Sequence, residues 1–315
     1  MRIFITGASG FVGRQLVPYL LNNTKAMLCL ATRSDSQKLK NARVSYFNFK
    51  SLSEDINWQD GIRGCDAVVH LAARVHVMHE NAKSPLELYR LINVKATLNL
   101  AEQAARAKVK RFIYISSIKV NGENTTKGVK FSPDDKLNPV DPYALSKYEA
   151  EQGLLKLAQK TGMEVVIIRP PLVYGPNVKG NFIKIFNLVK TGIPLPLGNI
   201  KNKRSLVSVY NLIALINTCL THKNAANQIF LVSDGFDLST SELLAKIAES
   251  LGRKSRCFAL PSFIMQLVAR ALGKTGIYQR LWGSLEVDIS KTTNLLNWQP
   301  KNDIHNVLKE LYGRT

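Results

Sequence analysis

"FITGASGFVGRQLV", residues 4–17, joins an apolar run to a helical pattern through three glycines. Gly7, Gly10 and Gly13 follow the spacing GxxGxxG. One glycine permits the tight turn, a second lets backbone come close to a bound group, and a third lets the helix pack against the strand before it. The free N–H groups opening that helix, together with its dipole, form an anion site suited to a diphosphate. Glycine triplets often mark ordinary turns, so the strand–loop–helix context is what gives this one meaning.

Working outward, short apolar runs at 3–6, 27–32, 44–47, 67–71, 111–116 and 164–169 read as strands. Helical patterns lie between several of them, clearest at 11–22, 85–107 and 142–161. This alternation predicts an α/β protein with a Rossmann-type, doubly wound parallel sheet. After Arg169 the chain turns rich in Pro, Gly and Asn around a helix at 182–191. Strands return at 205–209 and 228–232, and helices follow at 241–251, 261–272 and 303–311. The expected layout is a nucleotide-binding domain of 1–168 with about 205–233. A smaller α/β C-terminal lobe of 169–204 with about 234–315 would hold the substrate.

A second signal is "YALSK", residues 143–147. On a helix starting near Pro142, Tyr143 and Lys147 share one face. A phenol titrates near ~10, so acid–base work near neutrality needs about 4 kcal/mol of phenolate stabilisation. One positive charge at ~4 Å, with an effective dielectric near 20, supplies roughly that much. The run "RFIYISSIKVNG" ends a strand in Ser116 and Ser117, at the sheet edge where ligands bind. Ser, Tyr, Lys and the glycine loop in this order form a specific combination.

With "HLAA" at 70–73, "NVKATLNL" at 93–100, "RPPLVYGP" at 169–176 and "RSLVSV" at 204–209, nearly the whole chain resembles the extended short-chain dehydrogenase/reductases. Within them it resembles the NAD-dependent epimerase/dehydratase family, which acts on nucleotide sugars. The resemblance implies that Tyr143 is the acid/base, that Lys147 lowers its pKa and holds the nicotinamide ribose, and that Ser117 orients the reacting oxygen. It sets Gly7, Gly10, Phe11, Val12, Gly13, Leu52, Leu71, Ala72, Ala73, Asn93, Ser116, Pro170 and Val173 around the dinucleotide. Arg204 and Arg280 would hold the substrate diphosphate, and Asn181 would contact substrate. Lys119, two residues beyond Ser117, reads either as a substrate contact to a phosphate or acetamido group or as a solvated loop lysine. The family's dimers imply a homodimer through the helices at 85–107 and 142–161.

Two positions depart from the family pattern. UDP-glucose 4-epimerases usually read SSxxVYG, whereas here Asn121 replaces the tyrosine, and the Asp-Leu pair expected near adenine appears as Ser51-Leu52. "HLAARVHVMHE", "SSIKVNGE", "VVIIRPPLVYGP" and "KNKRSLVSVYNL" look like bacterial O-antigen 4-ketoreductases. That group reduces UDP-4-keto-6-deoxy-N-acetylglucosamine to UDP-N-acetylquinovosamine, and its members often carry the name UDP-glucose 4-epimerase. The expectation is therefore a 4-ketoreductase, with a UDP-glucose or UDP-N-acetylglucosamine 4-epimerase as alternative. A non-catalytic dinucleotide sensor is the distant alternative.

"ATRSD", residues 31–35, bears on that choice. Dinucleotide folds place an acidic residue about here for the NAD ribose, whereas Thr32 and Arg33 offer a hydroxyl and a guanidinium suited to a phosphate. This favours NADP(H), with NAD(H) as alternative if Arg33 points to solvent and Asp35 serves the ribose.

The 315 residues, 45% hydrophobic, suffice for a large core, and mean hydropathy near zero argues for a soluble protein. The first strand begins almost at Met1, and no apolar stretch is long enough to span a bilayer, so a cytoplasmic protein is expected. Cys29, Cys65, Cys219 and Cys257 are scattered and read as reduced thiols. His70, His76 and His79 lack a carboxylate cluster, and no metal is expected. The net charge of +20 is spread along the chain without a nucleic-acid-binding signature, so no nucleic acid is expected. "PSFIMQLVARALGKTG", 261–276, carries an apolar helical stripe with Arg270 and Lys274. Core packing of the C-terminal lobe is the expected use of that stripe, ahead of an anionic membrane surface.

Overall fold

The computed structural model describes residues 1–33, 39–75, 84–126 and 128–312; Ser34, Asp35, His76 and His79 lie outside the described residues. The strands are β1 (Arg2–Thr6), β2 (Met27–Thr32), β3 (Val44–Asn48), β4 (Ala67–His70), β5 (Arg111–Ile115), β6 (Glu164–Arg169), β7 (Leu172–Tyr174), β8 (Arg204–Ser208), β9 (Gln228–Leu231) and β10 (Asp237–Leu238). The helices begin with α1 (Gly13–Asn23), α2 (Gln59–Ile62), α3 (Pro85–Tyr89), α4 (Ala96–Arg106), α5 (Pro142–Thr161) and α6 (Asn181–Thr191). They continue with α7 (Val209–Thr221), α8 (Thr240–Ser250), α9 (Ser262–Ala271), α10 (Thr275–Trp282), α11 (Ser290–Leu296) and α12 (Ile304–Tyr312).

Seven strands form one sheet in the order β3-β2-β1-β4-β5-β6-β9, and every neighbouring pair is parallel. Because all carboxyl ends then lie on one edge, Thr6 stands between Ala31 and His70. The strand order reverses between β1 and β4, the place where such sheets open a ligand crevice.

The strand period of two splits the core between the faces of the sheet. Ile3 and Ile5 pack with Leu16, Leu20, Leu212 and Ile216 of α1 and α7. Phe4, pointing the other way, packs with Trp58, Leu100, Ala104 and Leu154. A three-stranded sheet, β10-β8-β7, begins the second lobe, whose core joins Phe182, Phe186, Leu206, Ile247 and Leu308. Asp234 ties this lobe to the large sheet, accepting hydrogen bonds from Tyr174 Oη at 2.7 Å, Ser208 N at 2.9 Å and Asn211 Nδ2 at 2.7 Å.

Two details differ from the sequence expectation. The helix expected over 85–107 is interrupted by a π-helical turn at Arg90–Lys95. Helix α7 fills the gap between the strands expected at 205–209 and 228–232; it is apolar on most sides, so no periodicity announces it. Of the segment 205–233, α7 and β9 pack with the large sheet, while β8 belongs to the small one.

Candidate active site

Two glycines of the loop stand where no side chain fits. Gly7 has φ +72°, and a Cβ there would lie 2.7 Å from Ala72 N. A Cβ on Gly13 would lie 2.3 Å from Gly7 O. Gly10 N donates to Gly7 O at 2.9 Å and Arg14 N to Gly10 O at 3.0 Å, closing the turn into α1 with Phe11 and Val12 on its bend. Thr32 ends the neighbouring strand β2 and the exposed Arg33 follows it, while Leu52 packs against the cluster around Trp58.

Below the loop lies a layer of buried polar groups. Thr6 Oγ1 meets His70 Nδ1 at 2.7 Å, His70 Nε2 meets Thr97 Oγ1 at 3.0 Å, and Ala72 N donates to Thr6 Oγ1 at 3.3 Å. Burial, reinforced by the Lys147 ammonium, pushes the His70 imidazole down to about 3, so the ring stays neutral and can serve both hydroxyls. Asn93 sits on the π-helical turn. It accepts from Arg74 N at 2.8 Å and donates to Arg74 O at 3.0 Å and Ser146 Oγ at 2.9 Å. The turn thus fastens the backbone after Leu71, Ala72 and Ala73 to α5.

Helix α5 carries the phenol and the ammonium. Asp141 caps it, accepting from Ala144 N at 2.6 Å, with Pro142 in the first position. Ser117, just beyond β5, lies close enough to the half-buried Tyr143 phenol to act on its ionisation, and its hydroxyl accepts from Lys119 N at 3.3 Å. Lys147 is 2% exposed. Its Nζ donates to Ile115 O at 2.8 Å and stands 4.4 Å from the Tyr114 ring centre.

With protein groups alone the phenol is not lowered as expected. Burial pushes Tyr143 up to about 12 against the opposing Ser117 hydroxyl, with Asp141 and Tyr89 adding to the rise. Lys147 turns its ammonium toward Ile115, and burial holds it down to about 7 against the pull of Glu151.

Sequence reasoning missed the group behind this pair. Glu151 and Arg169, both essentially inaccessible, meet at 2.6 Å, and Arg169 Nη1 also donates to Asn121 Oδ1 at 3.0 Å. Asn121 Nδ2 donates to Ser132 O at 2.8 Å. Asn121, the departure from the epimerase pattern, therefore serves packing between β6 and the loop after β5. The available signal was spacing: Glu151 lies one helical turn beyond Lys147 on the same face.

The remaining expected residues fall in two places. Pro170 O accepts from Ile118 N at 3.0 Å and Val173 packs on the main core, beside the Ser117 strand end. Arg204, on β8, donates to Gly283 O at 2.9 Å and Arg280 O at 3.2 Å. Burial, with the neighbouring Arg280 cation, pushes its guanidinium below the ordinary value. Two cations are thus brought together in the second lobe. Lys119 pairs instead with Asp141 and with Glu123 at 3.3 Å. Asn181 is the exposed first residue of α6.

A dinucleotide fits these residues on two observations. Backbone excludes a Cβ at Gly7 and Gly13, and Ser116 Oγ at the carboxyl end of β5 is buried without a hydrogen-bond partner. Among the described residues, no group of three or more His, Cys, Asp or Glu could hold a metal ion.

The reversed parallel sheet, the glycine cradle and the Ser117–Tyr143–Lys147 cluster define an extended short-chain dehydrogenase/reductase. Residues 3–233 match the NAD dependent epimerase/dehydratase family, and the chain belongs to it. It is 45% identical over 309 residues to UDP-glucose 4-epimerase of Vibrio cholerae, covering 98% of this chain and 93% of the relative. It is 28% identical to N-acetyl-alpha-D-glucosaminyl-diphospho-ditrans,octacis-undecaprenol 4-epimerase of Escherichia coli O157:H7, covering 82% and 75%. Among solved structures, UDP-glucuronic acid 4-epimerase of Bacillus cereus in complex with NAD aligns with TM-score 0.79 at 21% identity, covering 100% and 96%. UDP-glucose 4-epimerase of Thermotoga maritima with UDP-glucose aligns with TM-score 0.77 at 20% identity, covering 100% and 98%. At such identities these structures bear on the fold.

Proposed function

We propose that this chain is a cytoplasmic, homodimeric, dinucleotide-dependent 4-epimerase of a UDP-hexose or UDP-N-acetylhexosamine. The observation that carries the chemistry is the Ser117–Tyr143 hydroxyl pair at the carboxyl edge of the sheet. The 45% identity to the Vibrio cholerae protein favours epimerisation over the expected 4-ketoreduction. Gly7, Gly10, Phe11, Val12 and Gly13 would hold the dinucleotide phosphates. Thr32, Arg33 and Leu52 would hold its adenosine end, with Leu71, Ala72, Ala73, Asn93, Ser116, Pro170 and Val173 around the nicotinamide. Residues 1–168 and about 205–233 make up this domain. The lobe of 169–204 and about 234–315 offers Arg204, Arg280 and Asn181 to the UDP-sugar, with Lys119 at its border.

In this reading Ser117 holds the sugar 4-oxygen and Tyr143 Oη takes its proton, then returns it from the same side once the sugar has turned over. Bringing the phenol from about 12 to near 7 takes about 7 kcal/mol. A single charge at ~4 Å supplies only about 4 kcal/mol at an effective dielectric near 20. Lys147 by itself therefore falls short. When bound, oxidised nicotinamide supplies the two-electron acceptor and a second positive charge.

The 4-ketoreductase is retained as second reading because Arg33 stands exposed immediately after β2. A guanidinium there suits an NADP 2′-phosphate, and released NADPH suits a reductase. Product NMR with UDP-glucose and UDP-N-acetylglucosamine tests the proposal. Interconversion with the galacto epimer without net cofactor consumption is expected. Stoichiometric NADPH oxidation with UDP-4-keto-6-deoxy-N-acetylglucosamine, and no epimerisation, would reverse the order of the two readings.

A further inference from the structure

Helices α9 and α10 have no buried residue, against the expectation that their apolar stripe is core. Phe263, Leu267, Val268 and Leu272 are 62%, 60%, 46% and 65% exposed, and Ile277 on α10 is 50% exposed. At 3.6 residues per turn, Phe263, Ile264, Leu267, Val268, Ala271 and Leu272 fall within one half of the α9 circumference. The helix packs chiefly on α10 and turns this half to solvent.

The charge along this segment of the chain has one sign. From Ser250 to Leu285 the chain has six basic residues and neither Asp nor Glu. Arg270 borders the apolar half of α9 and Lys274 follows its end, while Arg253, Lys254 and Arg256 stand exposed on the segment leading into it. Apolar side chains edged by cations match the boundary between acyl chains and anionic headgroups. A second copy of this chain would bring the same cations face to face, which disfavours self-association. The ten-residue α9 is too short to cross a bilayer and suits one lying in its plane.

We propose that the α9–α10 face docks on an anionic phospholipid surface. The docking is independent of the reaction assigned above, so failure of either leaves the other standing.

Co-sedimentation of the full chain with phosphatidylcholine vesicles, with and without roughly one-third phosphatidylglycerol, tests it. Binding to the anionic vesicles is expected, weakened roughly tenfold or more by raised salt. A Phe263→Asp/Leu267→Asp double variant should lose roughly 100-fold in vesicle affinity, with thermal melting unchanged because neither side chain is in a core. Equal binding to neutral vesicles, undiminished binding by the double variant, or a dimer in gel filtration that this variant splits would each overturn the proposal.

Discussion

The carboxyl edge of the large sheet and the α9–α10 hairpin treat polar and apolar groups in opposite ways. At the sheet edge, His70, Asn93, Lys147, Glu151 and Arg169 are almost fully removed from water, and each has a named partner. On the hairpin, Phe263, Leu267 and Leu272 face water. Burial makes the first region costly to disturb, since a buried charge that loses its partner keeps its desolvation penalty. Lack of burial makes the second nearly free to change, and so open to use as a surface. The difference shows one helix carrying both kinds of residue: α5 bears Tyr143 and Lys147, to which the proposal assigns the chemistry, and Glu151, which pairs with Arg169 in the interior.

The contrast can be broken from the buried side first. Arg169→Met leaves Glu151 buried without its cation and should lower unfolding free energy by about 3–5 kcal/mol in denaturant melts. Converting both partners to apolar residues should recover much of that loss. Tyr143→Phe should reduce turnover by roughly 10²–10⁴ while leaving the melt and dinucleotide binding near wild type. Retained turnover would remove Tyr143 from the chemistry.

His70 sharpens the contrast through pH. Below 6.5 the unfolded chain protonates this imidazole, while the folded chain resists down to about 3. The unfolded state therefore gains protons in that window, and stability falls as pH drops through it. The contribution at pH 5 is about 2 kcal/mol, read as the difference between the pH–stability curves of wild type and a His70→Gln variant. Smallest of all, Phe263→Asp should change unfolding free energy by no more than about 0.5 kcal/mol. A larger loss would show that the hairpin is core after all.

The glycine loop, the strands through β6 and the Ser-Tyr-Lys order were legible because each depends on local spacing. Helix α7 was not, since an element buried on most sides has no polar face to set a period. The π-helical turn under Asn93 was hidden inside a continuous helical pattern, because one wide turn changes hydrogen bonding without changing residue type. The apolar stripe within 261–276 forms a helix, as its spacing predicts, but that helix is not core. Amphipathic spacing says that a face is apolar, but not what covers it.

By itself the sequence determined the parallel sheet, the glycine turn that opens α1 and the shared helix face of Tyr143 and Lys147, because strand period, glycine geometry and i,i+4 spacing act over a few residues. Only the tertiary structure decided the charge states. Tyr143 rises and Lys147 falls because of what is packed around them. Likewise, only the fold brought Glu151, Arg169 and Asn121 together and left α9 uncovered. Desolvation and pairing depend on neighbours distant in the chain, and that information resides in the packing of the two lobes.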